Sequence, residues 1–88
     1  MVRGVDEWFS AEEHYALGTE VGTERHYVSF PVTAGPVGYE EYYLVDDDVY
    51  ASYLADPTLA RPFVEECRRR EHDDLLFEQP GWNRGIPY

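Results

Sequence analysis

His14, His26 and His72 occur together with Cys67, a set of side-chain types that could ligate zinc or transfer protons. Their spacing argues against both uses. There is no C-x-x-C, H-E-x-x-H or H-x-x-x-H pattern, so a zinc site would have to gather its ligands from separate elements. Cys67 falls on an apolar helical stripe and reads as a small core residue. Asp46-Asp47-Asp48 opens like a calcium loop, but Ala51 and Pro57 stand where that loop needs Gly and Glu. Glu12-Glu13-His14 and Glu71-His72-Asp73 are contiguous, yet neighbours on a strand or helix point apart, which does not build a catalytic dyad. No nucleophile elbow, phosphate-cradling glycine loop or Cys–His signature occurs. The expectation is a non-enzymatic chain with no metal and no cofactor.

A different chemistry is concentrated at 39–56, YEEYYLVDDDVYASYLAD. This stretch holds six carboxylates, five tyrosines and no basic residue. Tyrosine offers a large contact area with a hydrogen-bonding tip, and carboxylates pair with Arg or Lys of a partner. Tyr39, Glu40, Glu41, Tyr42, Asp46, Asp47, Asp48 and Tyr50 are therefore the candidate partner-binding residues. The competing assignment is a solvated sheet edge and a capped helix, with tyrosine rings partly in the core. Arg68-Arg69-Arg70 is the one hint of phosphate binding. Glu65 and Glu66 lie four residues before Arg69 and Arg70, a helical salt-bridge spacing, and Glu71, Asp73 and Asp74 follow directly. That face neutralises itself.

The whole chain has 88 residues, 18 acidic against 7 basic, for a formal charge of −11, and every basic residue is Arg. Such a field repels nucleic-acid backbones and attracts cationic surfaces. A single cysteine excludes an intramolecular disulfide. The opening MVRGVDEWFS lacks the apolar stretch of a signal peptide, and no run approaches the roughly 18 apolar residues of a membrane span. The cytoplasm is the expected location.

These residues must be positioned by a small set of elements. Residues 1–45 are strand-rich. In 12–21, Tyr15 and Leu17 are two apart as in a strand, while Ser10 followed by Glu13 fits a helical capping box. Across 25–33, Val28, Phe30 and Val32 alternate with Tyr27, Ser29 and Pro31, describing a half-buried strand. Pro31 cannot donate to a ladder, so this strand is at an edge or leaves that position unpaired. Ala34-Gly35-Pro36 turns the chain into a second strand, 37–45, pairing antiparallel with the first. Its faces, Val37-Tyr39-Glu41-Tyr43-Val45 and Gly38-Glu40-Tyr42-Leu44, are both mixed, which places tyrosines and carboxylates together in solvent.

The period then changes from two to 3.6. Asp46, Asp47 and Asp48 supply an N-cap and an acidic first turn for a helix at about 46–55. Val49, Tyr50, Tyr53 and Leu54 share one of its faces, and Asp56-Pro57 ends it. Pro62 is tolerated only in a first turn, so a second helix, about 58–74, starts between Thr58 and Arg61. Leu59, Ala60, Phe63, Val64 and Cys67 form its buried stripe. The tail, 75–88, is expected to be irregular and docked through Trp82 and Ile86. The fold class is α+β: one domain, 1–88, with an antiparallel sheet of two to four strands followed by two helices packed on one face.

A small, acidic, single-domain chain with tyrosine-rich strands resembles the bacterial immunity proteins that neutralise cognate toxins. The resemblance rests on size, charge and the 39–56 stretch, beside the distinctive EECRRREHDD helix and PGWNRG tail. It implies an inhibitor of a basic protein, a nuclease or other toxin, with Glu40, Glu41 and the three aspartates answering a cationic cleft. The alternative function is an accessory or structural domain, a homodimer paired through an exposed strand edge.

Overall fold

A computed structural model describes residues 3–34, 37–78 and 86–87. Four antiparallel strands run in the order β1 (Gly4–Ser10), β2 (Tyr15–Glu20), β3 (His26–Ala34) and β4 (Val37–Val45). Two short helices follow, α1 (Asp47–Ala55) and α2 (Arg61–Arg68), linked by a 3-10 turn at Pro57–Ala60. A two-residue strand, β5 (Ile86–Pro87), returns to pair with Thr33 and Val32 of β3. The chain is thus α+β, with a four-stranded sheet preceding two helices.

The competing strand and turn signals at 10–20 are both used, in succession. The backbone N–H of Glu13 donates to Ser10 Oγ at 3.0 Å, and that of His14 to the Ser10 carbonyl at 2.9 Å, closing a turn from which β2 departs. His14 takes φ 58° to leave it. Between β2 and β3, Gly22 at φ 101° accepts a conformation that a Cβ would oppose.

β3 lies at the centre of the sheet. Among the described residues, β2 reaches only as far as Ser29 and β5 pairs with Val32 and Thr33, so Pro31 has β4 alone as its paired neighbour there. Proline is accommodated by the unpaired position rather than by an edge. β3 is also buried on both faces, not half-buried. Val28, Phe30 and Val32 join the main core, and Tyr27 and Ser29 are covered on the opposite side.

Both helices close over one face, burying Tyr15, Leu17, Val28, Phe30, Val32, Tyr43, Val45, Tyr50, Ala60, Val64, Cys67 and Leu76. The helical stripes are narrower than the sequence suggests. In α1 only Tyr50 is buried, while Val49 and Leu54 are 40% and 36% exposed. Before α2, Leu59 is 54% exposed, and Ala60, Val64 and Cys67 carry the contact. Helix α2 ends at Arg68, well short of residue 74, because Arg70 turns to φ 63° and the chain re-enters a 3-10 turn at Asp73–Leu75. The tail then meets the sheet through a bridge from Leu76 to Tyr43 and a hydrogen bond from Phe77 N to the Tyr42 carbonyl at 3.0 Å. Trp82, expected to dock the tail, lies outside the described residues, as does the turn at Gly35-Pro36.

Candidate functional site

The alternation of β4 divides the acidic–aromatic stretch between two sides of the sheet. Glu41, Tyr43 and Val45 face the helices and are buried, whereas Gly38 and Glu40 on the opposite face are exposed and Tyr42 and Leu44 are half-buried. Asp46, Asp47 and Asp48, at the strand-to-helix junction, are all exposed. Tyr39, near the far end of the strand, is 37% exposed.

Two candidates belong to the interior instead of the surface. Glu41 is 6% exposed and Tyr50 is 3% exposed. The physical reason is that a buried phenol needs an acceptor for its hydroxyl, and carboxylates supply it. The Tyr43 hydroxyl lies 3.1 Å from Glu41 Oε1 and 3.3 Å from the Cys67 carbonyl. The Tyr50 hydroxyl donates to Glu7 Oε1 at 2.6 Å, that of Tyr27 to Asp6 Oδ1 at 2.5 Å, and that of Tyr15 to the Pro57 carbonyl at 2.7 Å. Part of the tyrosine–acid interleaving is therefore internal pairing. Burial and the adjacent carboxylate raise the Tyr27 and Tyr50 phenols far above their ordinary range, so both stay neutral donors.

What stays at the surface is a continuous strip. Glu40, Tyr42 and Leu44 follow one another at alternate positions of β4 and lead to Asp46 at the N-cap of α1. Leu44, Asp46, Asp47 and Asp48 line an open depression of about 540 Å3, together with Arg25 and Val45. Asp46 occupies the N-cap with extended dihedrals, but its side chain makes no capping hydrogen bond. Asp47 and Asp48 provide the acidic first turn. The Tyr42 hydroxyl donates to Glu40 Oε2 at 3.0 Å, fixing ring and carboxylate side by side.

Arg25 lines that depression with the aspartates but forms no ion pair with them among the described residues, and three other arginines pair elsewhere. Arg61 pairs with Glu13 at 2.6 Å, Arg68 with Glu65 at 2.7 Å and Arg69 with Glu71 at 2.5 Å. The self-neutralisation of this region holds, with partners other than the four-residue spacing predicts, because α2 stops before Arg69. Arg68 Nη2 also donates to the Glu13 and His14 carbonyls at 2.8 and 3.1 Å, and its guanidinium sits 5.5 Å from the Phe30 ring centroid.

His26 connects the strip to the sheet. Its ring stacks on Tyr50 at 4.1 Å, and its Nε2 lies 3.4 Å from Asp47 Oδ1. Thr19 gives its hydroxyl proton to Glu7 Oε1 at 2.8 Å, which leaves the Thr19 oxygen to accept from His26 Nδ1 at 3.0 Å. Asp6 and Glu7, which hold this network together, have no counterpart among the sequence-predicted site residues. The alternation in VDEWF is their only trace, and a bulge obscures it: Asp6 pairs with Gly18 and Trp8 with Leu17, so Glu7 is the extra residue.

Among the described residues no group of three or more His, Cys, Asp and Glu side chains could hold a metal ion. Burial pushes the Cys67 thiol up to about 12. No helix among the described residues is long and apolar enough to cross a membrane. Comparison of the chain with protein-family models, curated proteins and solved structures finds no match.

Proposed function

We propose that the chain is a non-enzymatic protein-binding module, an inhibitor of the immunity type, that receives a basic protein on the strip Glu40–Tyr42–Leu44–Asp46–Asp47–Asp48. The observation that carries this reading is an asymmetry of charge pairing. Glu13, Glu65 and Glu71 are each neutralised by an arginine, whereas Glu40, Asp46 and Asp48 pair with no cation among the described residues. Exposed like charges left together cost some stability through repulsion. A cationic partner relieves that cost and is steered towards it. Tyr42 and Leu44 provide contact area that excludes water beside the carboxylates.

The test is capture from a lysate of the source cell, with the natural chain and a Glu40→Gln, Asp46→Asn, Asp47→Asn, Asp48→Asn variant as parallel baits. The natural chain retains a basic protein that the variant loses. Equal retention by both, or retention of no basic protein, overturns the proposal.

A further inference from the structure

β1 is the terminal strand of the sheet, and among the described residues no strand pairs with its outer edge. Its seven residues, GVDEWFS, contain no proline, so every position keeps its backbone N–H. At about 3.3 Å per residue this edge spans roughly 23 Å, in two stretches separated by the bulge at Glu7. Exposed edges of this length are ordinarily blunted, and β1 is blunted in a selective way. Asp6 reaches to the outer face of the sheet, to Tyr27, while Glu7 turns to the helix-bearing face, to Thr19 and Tyr50. The two carboxylates therefore lie on opposite faces of the sheet beside the edge strand, and both residues are exposed.

Each is held by one oxygen. Tyr27 takes Oδ1 of Asp6, and both Thr19 and Tyr50 take Oε1 of Glu7. The second oxygen of each has no hydrogen-bond partner among the described residues. The Tyr50 and Thr19 hydroxyl donors also hold the Glu7 carboxyl below its ordinary range, favouring the ionised form. Phe9, 61% exposed, and Val5, 57% exposed, add apolar surface on either side of the pair.

We propose that the outer edge of β1 accepts an extended, cationic segment of another protein as an additional strand, its basic side chains meeting Asp6 and Glu7. A second copy of this chain is the wrong occupant. Pairing two such edges brings four carboxylates together on molecules that each carry −11, and like charges across a ladder destabilise it. A cationic strand reverses the sign of that term while gaining the same main-chain bonds. The inference concerns a surface distinct from the β4–α1 strip and does not depend on it.

The probe is a nine-residue capped peptide alternating arginine and valine, with a control peptide N-methylated at alternate backbone nitrogens to remove the ladder donors along one edge while keeping every charge. Amide exchange followed by NMR reports the location and titration reports the affinity. The parent peptide slows exchange in β1 between Val5 and Phe9. The N-methylated peptide and the Asp6→Asn, Glu7→Gln variant each weaken binding at least tenfold. Neutralising Asp46, Asp47 and Asp48 changes it less than threefold at physiological salt, which separates this site from the strip. Equal affinity for the N-methylated peptide, protection confined to residues 46–48, or dimerisation of the free chain through β1 in sedimentation overturns the proposal.

Discussion

The Tyr50 hydroxyl lies 2.6 Å from Glu7 Oε1 and joins the first turn of α1 to the bulge of an edge strand 43 residues earlier. The same carboxylate oxygen accepts from Thr19, so β1, β2 and α1 meet at one atom. Tyr50→Phe removes the bond and leaves the ring, and is expected to cost about 1.5–3 kcal/mol, the range for a hydrogen bond to a charged group. Urea unfolding of the two proteins measures it.

The pH dependence follows from the same contact. Glu7 is held below its ordinary range, first by the Tyr50 hydroxyl and then by Thr19. A carboxyl depressed in the folded state contributes stability that is fully present above its unfolded value, about 4.3, and is lost as pH falls through the folded value. The natural protein should therefore lose more of its melting temperature than Tyr50→Phe as pH is lowered from 5 to 3. Parallel curves would show that the bond does not favour the ionised form.

Gly18 has no room for a side chain. A Cβ there would press into the Tyr27 phenol and lie 2.5 Å from the Val5 carbonyl oxygen, a backbone atom that cannot rotate away. Gly18→Ala should cost about 1–3 kcal/mol by overpacking and loosen the pairing of β1 with β2. Chemical denaturation gives the first effect and amide exchange in β1 the second.

Arg68 locks α2 to the β1–β2 turn through the Glu13 and His14 carbonyl oxygens, while Glu65 of its own helix and the face of Phe30 on β3 hold its guanidinium. Arg68→Ala should destabilise by about 2–3 kcal/mol, the cost of losing charge-assisted bonds with packing. Arg68→Lys should recover less than half, since an ammonium cannot reproduce the planar fork. Full recovery by lysine would mean that charge alone matters there.

Cys67 is 1% exposed, and its thiol is pushed up to about 12 by burial and nearby carboxylates. It should resist iodoacetamide at pH 8 in the folded protein and react readily in urea. Rapid native-state alkylation would place the thiol at the surface.

How far the sequence discloses this arrangement depends on whether local pattern or distant contact decides each feature. The bounds of β4 were legible because a run of β-formers ends where three aspartates open a helix. The start of α2 was legible because Pro62 permits few alternatives. The end of α2 was not, since Arg70 at φ 63° answers to the packing of the following turn rather than to any local signal. Pro31 left two options, and only the lengths of β2 and β5 select between them. The site shows the same division. Asp46, Asp47 and Asp48 are exposed as their charge suggests, whereas Glu41 and Tyr50 turn inward because tyrosines from other elements need carboxylate acceptors. The alternation of β4 contains both faces and cannot say which one the helices cover. Glu7 carries no local signal because its partners are Thr19 and Tyr50, distant in sequence, and a bulge breaks the period of its strand.

On the proposed function, the carboxylates of the β4–α1 strip draw in a basic protein. Stopped-flow association of the captured partner, at about 50 and 300 mM salt, with the natural chain and with the variant neutralised at Glu40, Asp46, Asp47 and Asp48, tests it most directly. The on-rate of the natural chain should fall steeply with salt and exceed that of the variant at least tenfold at low salt, the two converging at high salt. Equal on-rates with equal salt dependence would contradict it.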